Sequence, residues 1–414
     1  MNSRRIVVLG GGFAGLWSTV GAVRKLDELG LGPREVEVTL VNRDAYHGIR
    51  VRNYEADLSS VRVPLADVLE PIGARLVVGE IANLDPPKQT VEVTTATGPR
   101  VLPYDRLVFA LGSQLLRPSI AGIETAFDVD TFAGATRLAE HLRSLPSRPA
   151  TDGQFTVVVV GSGLTGIEVA TEMISRLAAL LSSRKDAPRG RVILADHQPR
   201  LGSDMGEFAR PVIAKALAAL GIETRLGVEI AAIRPTGVLL RDGETIATAT
   251  VVWCAGMRAS PLTALFPVEC DRLGRLPVDA FLRLRGVPGV FAAGDSAWLT
   301  IDDSHVSVMS CQHGRPMGRF AGHNVVCDLL GLPLLPLSIP WYVTVLDLGT
   351  WGAVCTAGWD RQVIRQGAAA KETKRIINCE RIYPPANRDR AAILAAAAPM
   401  VQPPPEVDSN DSGR

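Results

Sequence analysis

Ile6-Val7-Val8-Leu9-Gly10-Gly11-Gly12-Phe13-Ala14-Gly15 opens the chain, and Val157-Val158-Val159-Val160-Gly161-Ser162-Gly163-Leu164-Thr165-Gly166 repeats its design further on. Each is a short β-branched run followed by G-x-G-x-x-G and then a helical stretch, the setting in which this spacing marks a dinucleotide-binding turn. One glycine makes the tight turn, one lets the backbone approach a pyrophosphate, and one allows close helix–strand packing. The helix N-terminus then offers free N–H groups and a partial positive charge to the phosphates. A single motif of this kind is weak evidence, because any tight strand-to-helix turn can produce it. Two in one chain point to two dinucleotides held against each other, an arrangement suited to hydride transfer.

The 414 residues suffice for two or three domains with substantial cores. The 44 basic and 43 acidic residues leave a net charge of +1, which carries no footprint for nucleic acid or an acidic membrane. Met1-Asn2-Ser3-Arg4-Arg5 runs directly into the first apolar run, which therefore reads as a strand and not as a signal-peptide core. The six cysteines (Cys254, Cys270, Cys311, Cys327, Cys355, Cys379) form no C-x-x-C pair and no zinc-like cluster. No metal is expected, and the thiols are expected to be reduced in a cytoplasmic protein. Residues 337–359 imitate a membrane span with Asp347 as their one charge, but Pro340 and the glycines argue against a helix. Residues 342–346 and 352–356 read instead as paired strands turning at Asp347-Leu348-Gly349.

Along the chain, the first turn leads to a helix over 15–29 and a strand over 36–41. Apolar segments follow at 76–78, 90–94 and 107–110, the last ending in Ala110-Leu111-Gly112-Ser113. Helices are expected over 133–145 and 166–181, an exposed excursion over 182–190, and strands over 192–196 and 250–254, the latter running into Ala255-Gly256. Gly289-Val290-Phe291-Ala292-Ala293-Gly294-Asp295 reads as a short buried strand ending in a Gly-Asp pair, and a helix is expected from Gln312 to Leu330. The prolyl, polar tail from Gln402 is expected to be disordered. The fold class is α/β: two Rossmann-like dinucleotide-binding domains and a small C-terminal α+β domain.

The residue closing each second strand bears on cofactor choice. Asp196 would accept hydrogen bonds from ribose hydroxyls and repel a 2′-phosphate, favouring NADH; His197 and Arg200 beside it keep NADPH open. The equivalent residue after the first turn is Asn42, followed by Arg43, a neutral and weaker ribose partner.

Taken with Tyr104-Asp105 and Cys254-Ala255-Gly256, these signals over residues 4–330 resemble the two-dinucleotide-domain flavoprotein reductases related to glutathione reductase. The resemblance implies a discontinuous FAD domain (1–117 and 272–335) with an NAD(P)H domain (118–271) inserted, a C-terminal domain (336–400) and a tail (401–414). It places Gly10, Gly12, Phe13, Ala14, Gly15, Asn42, Arg43, Ala110, Gly112, Gly294 and Gln312 at FAD, with Asp295 on its ribityl chain. It places Gly161, Gly163, Leu164, Thr165, Gly166, Glu168, Asp196, Ala255 and Gly256 at the nicotinamide nucleotide. Residues 42–60 hold no cysteine, which argues against redox-disulfide and sulfide:quinone chemistry.

Three further stretches resemble type II NADH dehydrogenases: Thr165-Gly166-Ile167-Glu168-Val169-Ala170, Ser310-Cys311-Gln312-His313, and Tyr342 with Asp347-Leu348-Gly349 and Gly352-Ala353. This resemblance implies an FAD enzyme passing a hydride from NADH to flavin and two electrons to a quinone-like acceptor. It implies Glu168 near the nicotinamide, Gln312 opening a helix aimed at the flavin, and His313 as a proton donor to reduced quinone. A helix N-terminus there stabilises negative charge on the flavin by roughly 0.3–2 kcal/mol. Plainer readings stand beside each: Glu168 offsetting a helix dipole, His313 a satisfied histidine, Cys311 a small buried thiol.

Two features depart from that family. Only residues 388–400 could serve as a membrane-docking helix, and they are short and alanine-rich, so peripheral membrane contact is at most weak. The basic stretch 371–381 reads as a solvated face. Arg50 and Arg52 stand where the family usually has an apolar segment, and would meet either an anionic group on the substrate or the FAD pyrophosphate. A reductase of a ferredoxin- or rubredoxin-type protein and a redox-sensing flavoprotein akin to apoptosis-inducing factor are the alternatives, and a homodimer is left open.

Overall fold

The computed structural model describes residues 3–182 and 190–403. β1 (Arg4–Leu9) is buried from Ile6 onward on both faces, as a near-continuous apolar run dictates for a central parallel strand. It leads into α1 (Phe13–Glu28), then β2 (Val36–Asn42), β3 (Arg75–Val78) and β4 (Arg106–Phe109). The chain then leaves this sheet and builds β5 (Thr156–Val160), α2 (Leu164–Leu181), β6 (Arg191–Asp196), β7 (Glu223–Leu226) and β8 (Thr250–Trp253). It returns to the first sheet as β9 (Val290–Ala292).

Both sheets are parallel, in the orders β9-β4-β1-β2-β3 and β7-β6-β5-β8. Their registers correspond: Leu9 faces Val41 in one, and Val160 faces Ala195 in the other. Each glycine turn therefore emerges at the C-terminal edge of its sheet between two diverging neighbours, where open α/β sheets bind ligands. A short antiparallel pair, Ser113–Leu115 with Met257–Ala259, ties the exit from the first sheet to the return.

α3 (Cys311–Leu330) lies along α1 with backbone contact. A Cβ at Gly318 would collide with the Ala14 carbonyl oxygen, and one at Gly322 with that of Ser18. This spacing of four residues lets the start of α3 arrive beside the first glycine turn. The C-terminal unit is the antiparallel sheet β10 (Val343–Asp347), β11 (Ala353–Ala357), β12 (Gln362–Gly367), followed by α4 (Ala368–Ile376) and α5 (Arg390–Ala396). The strand pair expected within 337–359 is present, turning at 348–352.

Two expectations for the C-terminal region need correction, those for the basic stretch and for the tail. The stretch 371–381 is solvated on one side only, at Glu372, Arg375 and Glu380: Lys371 and Lys374 reach Asp347 and Glu168, and a π-helical turn (Ile377–Arg381) continues α4. The alanine-rich α5, for which at most weak membrane contact was expected, packs Ile393 and Leu394 into the core of the first sheet's domain, where short side chains fit between helices. Arg390 pairs with Asp27, and Arg388 with Asp67 and Glu70, fixing it there. Residues 401–403, expected in a disordered tail, lie against α3 and the turn after α4, while 404–414 fall outside the described residues. The excursion at 182–190 also falls largely outside them. Among the described residues, no helix is long and apolar enough to cross a membrane.

Candidate active site

Gly10 (φ +97°) and Gly161 (φ +107°) turn each strand into its helix through backbone space that side chains avoid. A Cβ at Gly15 would fall onto the Gly10 carbonyl oxygen, and one at Gly166 onto that of Gly161. At Gly12 a Cβ would meet nothing within 4 Å, so the first turn leaves an open cradle. Neither helix has a side-chain cap on its N-terminus, so first-turn N–H groups remain for a ligand. Such a cradle fits a dinucleotide pyrophosphate.

The strand-end residues brace these turns. Asn42 Oδ1 accepts from the Gly11 N–H (2.8 Å), and its amide donates to the carbonyls of Asp44 (2.9 Å) and Tyr46 (3.2 Å). Those two donations explain an amide where an acid was expected. Asp196 Oδ2 accepts from the Ser162 N–H (2.5 Å) and hydroxyl (2.7 Å), and Oδ1 from the Gln198 N–H (2.8 Å). Arg43 is exposed.

Around the first turn, Ala110 abuts Gly10, and Gly294 (φ +73°) leaves only 2.7 Å between a Cβ and that of Ala14. Asp295 accepts from the Ser113 hydroxyl (2.6 Å), and the Gly112 N–H donates to Ser296 Oγ (2.7 Å). Ala255 plays the part of Ala110 against Gly161, and the Gly256 carbonyl accepts from the Leu116 N–H (2.8 Å).

A cavity of about 530 Å³ opens between the start of α2, the start of α3 and the C-terminal sheet. Leu164, Thr165 and Glu168 line one side, Cys311 and Gln312 the floor, and β10 with Lys374 the other. Gln312 holds β10 by its amide, which, oriented to satisfy both groups, donates to the Val343 carbonyl (2.6 Å) and accepts from its N–H (3.2 Å). Glu168 is buried, ion-paired to Lys374 (2.7 Å), and accepts from the Asp347 N–H (3.1 Å). Burial pushes the Glu168 carboxyl above its ordinary range even though Lys374 opposes the shift. Burial also disfavours the Lys374 ammonium, but Glu168 and Asp347 outweigh it and hold its pKa up. Lys371 binds both Asp347 oxygens (2.5 and 2.6 Å), and the Tyr54 hydroxyl donates to Asp347 Oδ2 (3.2 Å).

His313, the expected proton donor, sits behind the cavity wall. Its Nδ1 accepts from the Val308 N–H (3.0 Å), and its ring packs near Tyr342 and Trp359. Cys311 lines the cavity, where burial pushes its thiol up. Arg50 lines it too, donating to Ser113 and pairing with Asp130, with Asp295 at 3.9 Å. Arg52 is committed elsewhere, to Glu55 (2.6 Å) and the Tyr383 hydroxyl (2.7 Å).

Residues 4–318 match the family model for pyridine nucleotide-disulphide oxidoreductases. The chain belongs to that family. An NADH dehydrogenase-like protein of Mycobacterium tuberculosis (strain CDC 1551 / Oshkosh) is 58% identical over 402 residues, 97% of this chain and 100% of that protein. A type II NADH:quinone oxidoreductase of Staphylococcus saprophyticus is 24% identical over 399 residues, 92% of this chain and 95% of that one. The solved structure of NDH2 from Plasmodium falciparum in complex with RYL-552 shares the fold at TM-score 0.78 and 12% identity, over 96% of this chain and 98% of that one. The likeness read from Thr165–Ala170, Ser310–His313 and the Tyr342–Ala353 stretch thus holds across nearly the whole chain.

Within this oxidoreductase, sequence reasoning missed Lys374, Arg319 and Arg381, which line the same cavity as Glu168 and Gln312. Lys371 and Lys374 were visible only as charges in a basic run, with nothing local to mark which of them turn inward.

Two buried histidines set an acid limit on stability. His47 donates from Nδ1 to the Gly11 carbonyl (2.8 Å), and burial lowers its pKa from 6.5 to about 4. Burial, helped by Arg361, lowers His313 likewise to about 4. Between these values the unfolded chain binds protons that the folded chain refuses, so stability is full above 6.5 and falls as the pH drops towards 4. Each histidine then costs up to about 3 kcal/mol. Urea unfolding across this window tests it: His47→Asn or His313→Asn flattens the decline, and an unchanged slope in both refutes it.

Proposed function

We propose that the chain is an FAD-dependent oxidoreductase that takes a hydride from NADH and delivers two electrons to a quinone or quinone-like acceptor. The observation carrying this reading is the single cavity joining the N-terminal turn of α2 to the start of α3 and on to α4. When bound, FAD supplies the redox chemistry. In this reading residues 1–117 and 272–335 hold FAD, residues 118–271 hold NADH, and residues 336–400 close the acceptor side.

The N–H groups at Gly12–Gly15 bind the FAD pyrophosphate, and Asp295, fixed by Ser113, binds its ribityl hydroxyls. The corresponding N–H groups at Gly163–Gly166 bind NADH, with the Asp196 carboxylate edge facing the ribose. Gln312 orients the start of α3, whose positive end favours negative charge on the reduced cofactor. Glu168, held by Lys374, fixes a polar wall beside the nicotinamide. Leu164, Val308 and Met309 exclude water from the same cavity.

Anaerobic titration of the FAD-loaded protein with NADH, followed by menadione, tests the reading. The expected result is bleaching of the flavin absorbance by NADH and full return on adding menadione. Bleaching that menadione leaves unchanged overturns the quinone acceptor, and bleaching by NADPH alone overturns the nucleotide.

A further inference from the structure

Beyond Gln312, the cavity wall changes character. Arg315 and Arg319 stand one turn apart on α3 with only 8% and 5% of their surface exposed, and Arg381 faces the same cavity from the π-helical turn. Among the described residues, none of the three pairs with a carboxylate. Burial lowers the pKa of Arg315 to about 10, helped by Arg319 and Arg381, and burial alone lowers Arg319 to about 10. Among the described residues, the Nε groups of Arg315 and Arg319 have no partner. The Trp17 ring lies 5.4 Å from the Arg315 guanidinium carbon and 5.0 Å from that of Arg319, a weak compensation for buried charge.

Among the described residues, every hydrogen-bond acceptor of these guanidinium groups comes from one short segment. Gln402 Oε1 accepts from Arg315 (3.0 Å), the Met400 carbonyl from Arg319 (3.4 Å), and the Pro403 carbonyl from Arg381 (2.6 Å). These neutral oxygens occupy the position a carboxylate or sulfonate would take. A guanidinium fork matches such groups in shape and charge, and burying cations without a counter-ion is costly.

We propose that Arg315, Arg319 and Arg381 form an anion subsite of the acceptor pocket, selecting a quinone that carries a carboxylate or sulfonate group. The anion displaces Gln402 Oε1 and the Pro403 carbonyl from the arginines. This inference rests on the quinone reading above, and its test separates the two.

The FAD-loaded full chain is assayed with menadione and with 1,4-naphthoquinone-2-sulfonate, and its binding of redox-inert naphthalene-2-sulfonate is measured by calorimetry. The wild type is expected to prefer the sulfonated quinone, with a KM about tenfold lower, as a charge-assisted pair gives. Arg315→Gln and Arg381→Gln are each expected to lower the ratio of kcat/KM for the two quinones, and to weaken naphthalene-2-sulfonate, by about tenfold. Equal KM values with no naphthalene-2-sulfonate binding overturn the subsite. So does loss of FAD from both variants, which would assign the arginines to the cofactor phosphates. Arg381 is only partly buried, so its variant remains informative if Arg315→Gln does not fold. Should neither quinone reoxidise the protein, the quinone reading fails, and the calorimetry still decides the subsite.

Discussion

Lys374→Met is expected to destabilise the protein by about 3–5 kcal/mol, the cost of leaving one member of a buried ion pair alone. The Lys374 and Glu168 side chains are only 12% and 9% exposed and meet at 2.7 Å. Lys374 also donates to the Val345 carbonyl (2.9 Å), so the ammonium ties α2 to β10 as well as neutralising Glu168. Without it, the Glu168 carboxylate keeps only the Asp347 N–H and moves further above its unfolded value of 4.5. A group whose folded pKa is raised contributes stability below its unfolded pKa and loses it as the pH rises. The penalty of Lys374→Met therefore grows with pH. The double variant Glu168→Met/Lys374→Met buries no charge and is expected to recover most of the loss. Urea unfolding of the single and double variants at several pH values is the measurement. A single-variant cost below about 1 kcal/mol, or a double variant as unstable as the sum of the singles, would sink the argument.

How far the sequence could be read follows from whether each feature is local. The glycine turns were legible because their constraint is backbone sterics within six residues: Gly15 against Gly10, and Gly166 against Gly161. The short strand before Asp295 and the antiparallel pair in 337–359 were legible for the same reason, each being a run of apolar residues bounded by turn residues. Asn42 shows the limit. An acid is the usual residue there, but the donors that make an amide fit are aimed at Asp44 and Tyr46, which only the folded loop reveals.

The inward contacts of the basic stretch 371–381 were not legible because they are assembled across long separations. Lys374 meets a carboxylate on a helix of the second domain, and Arg315 meets Gln402. In sequence, such residues are indistinguishable from solvated charges. The alanine-rich residues of α5 were similarly ambiguous, since weak amphipathicity suits a membrane surface and a tight helix crossing equally. The buried Ile393 and Leu394 place one face of α5 in such a crossing.

The glycine turns themselves provide the most discriminating test of which dinucleotide sits where. Gly15→Ala is expected to yield protein that has lost its yellow colour, with FAD bound at least about 10–100-fold more weakly. The added methyl cannot rotate away from the Gly10 carbonyl oxygen, because the backbone of the turn fixes the positions of both the Cβ and the oxygen. Relief requires opening the turn, which moves the N–H groups that the pyrophosphate needs. Gly166→Ala creates the same collision with Gly161 in the second domain. It is expected to leave the flavin spectrum intact while slowing its reduction by NADH at least about 10–100-fold. Flavin absorbance of the purified variants, followed by stopped-flow reduction with NADH, separates the two. If Gly166→Ala loses flavin while Gly15→Ala keeps it, the two sites are reversed. If both variants lose it, the second turn serves the fold and not the nucleotide.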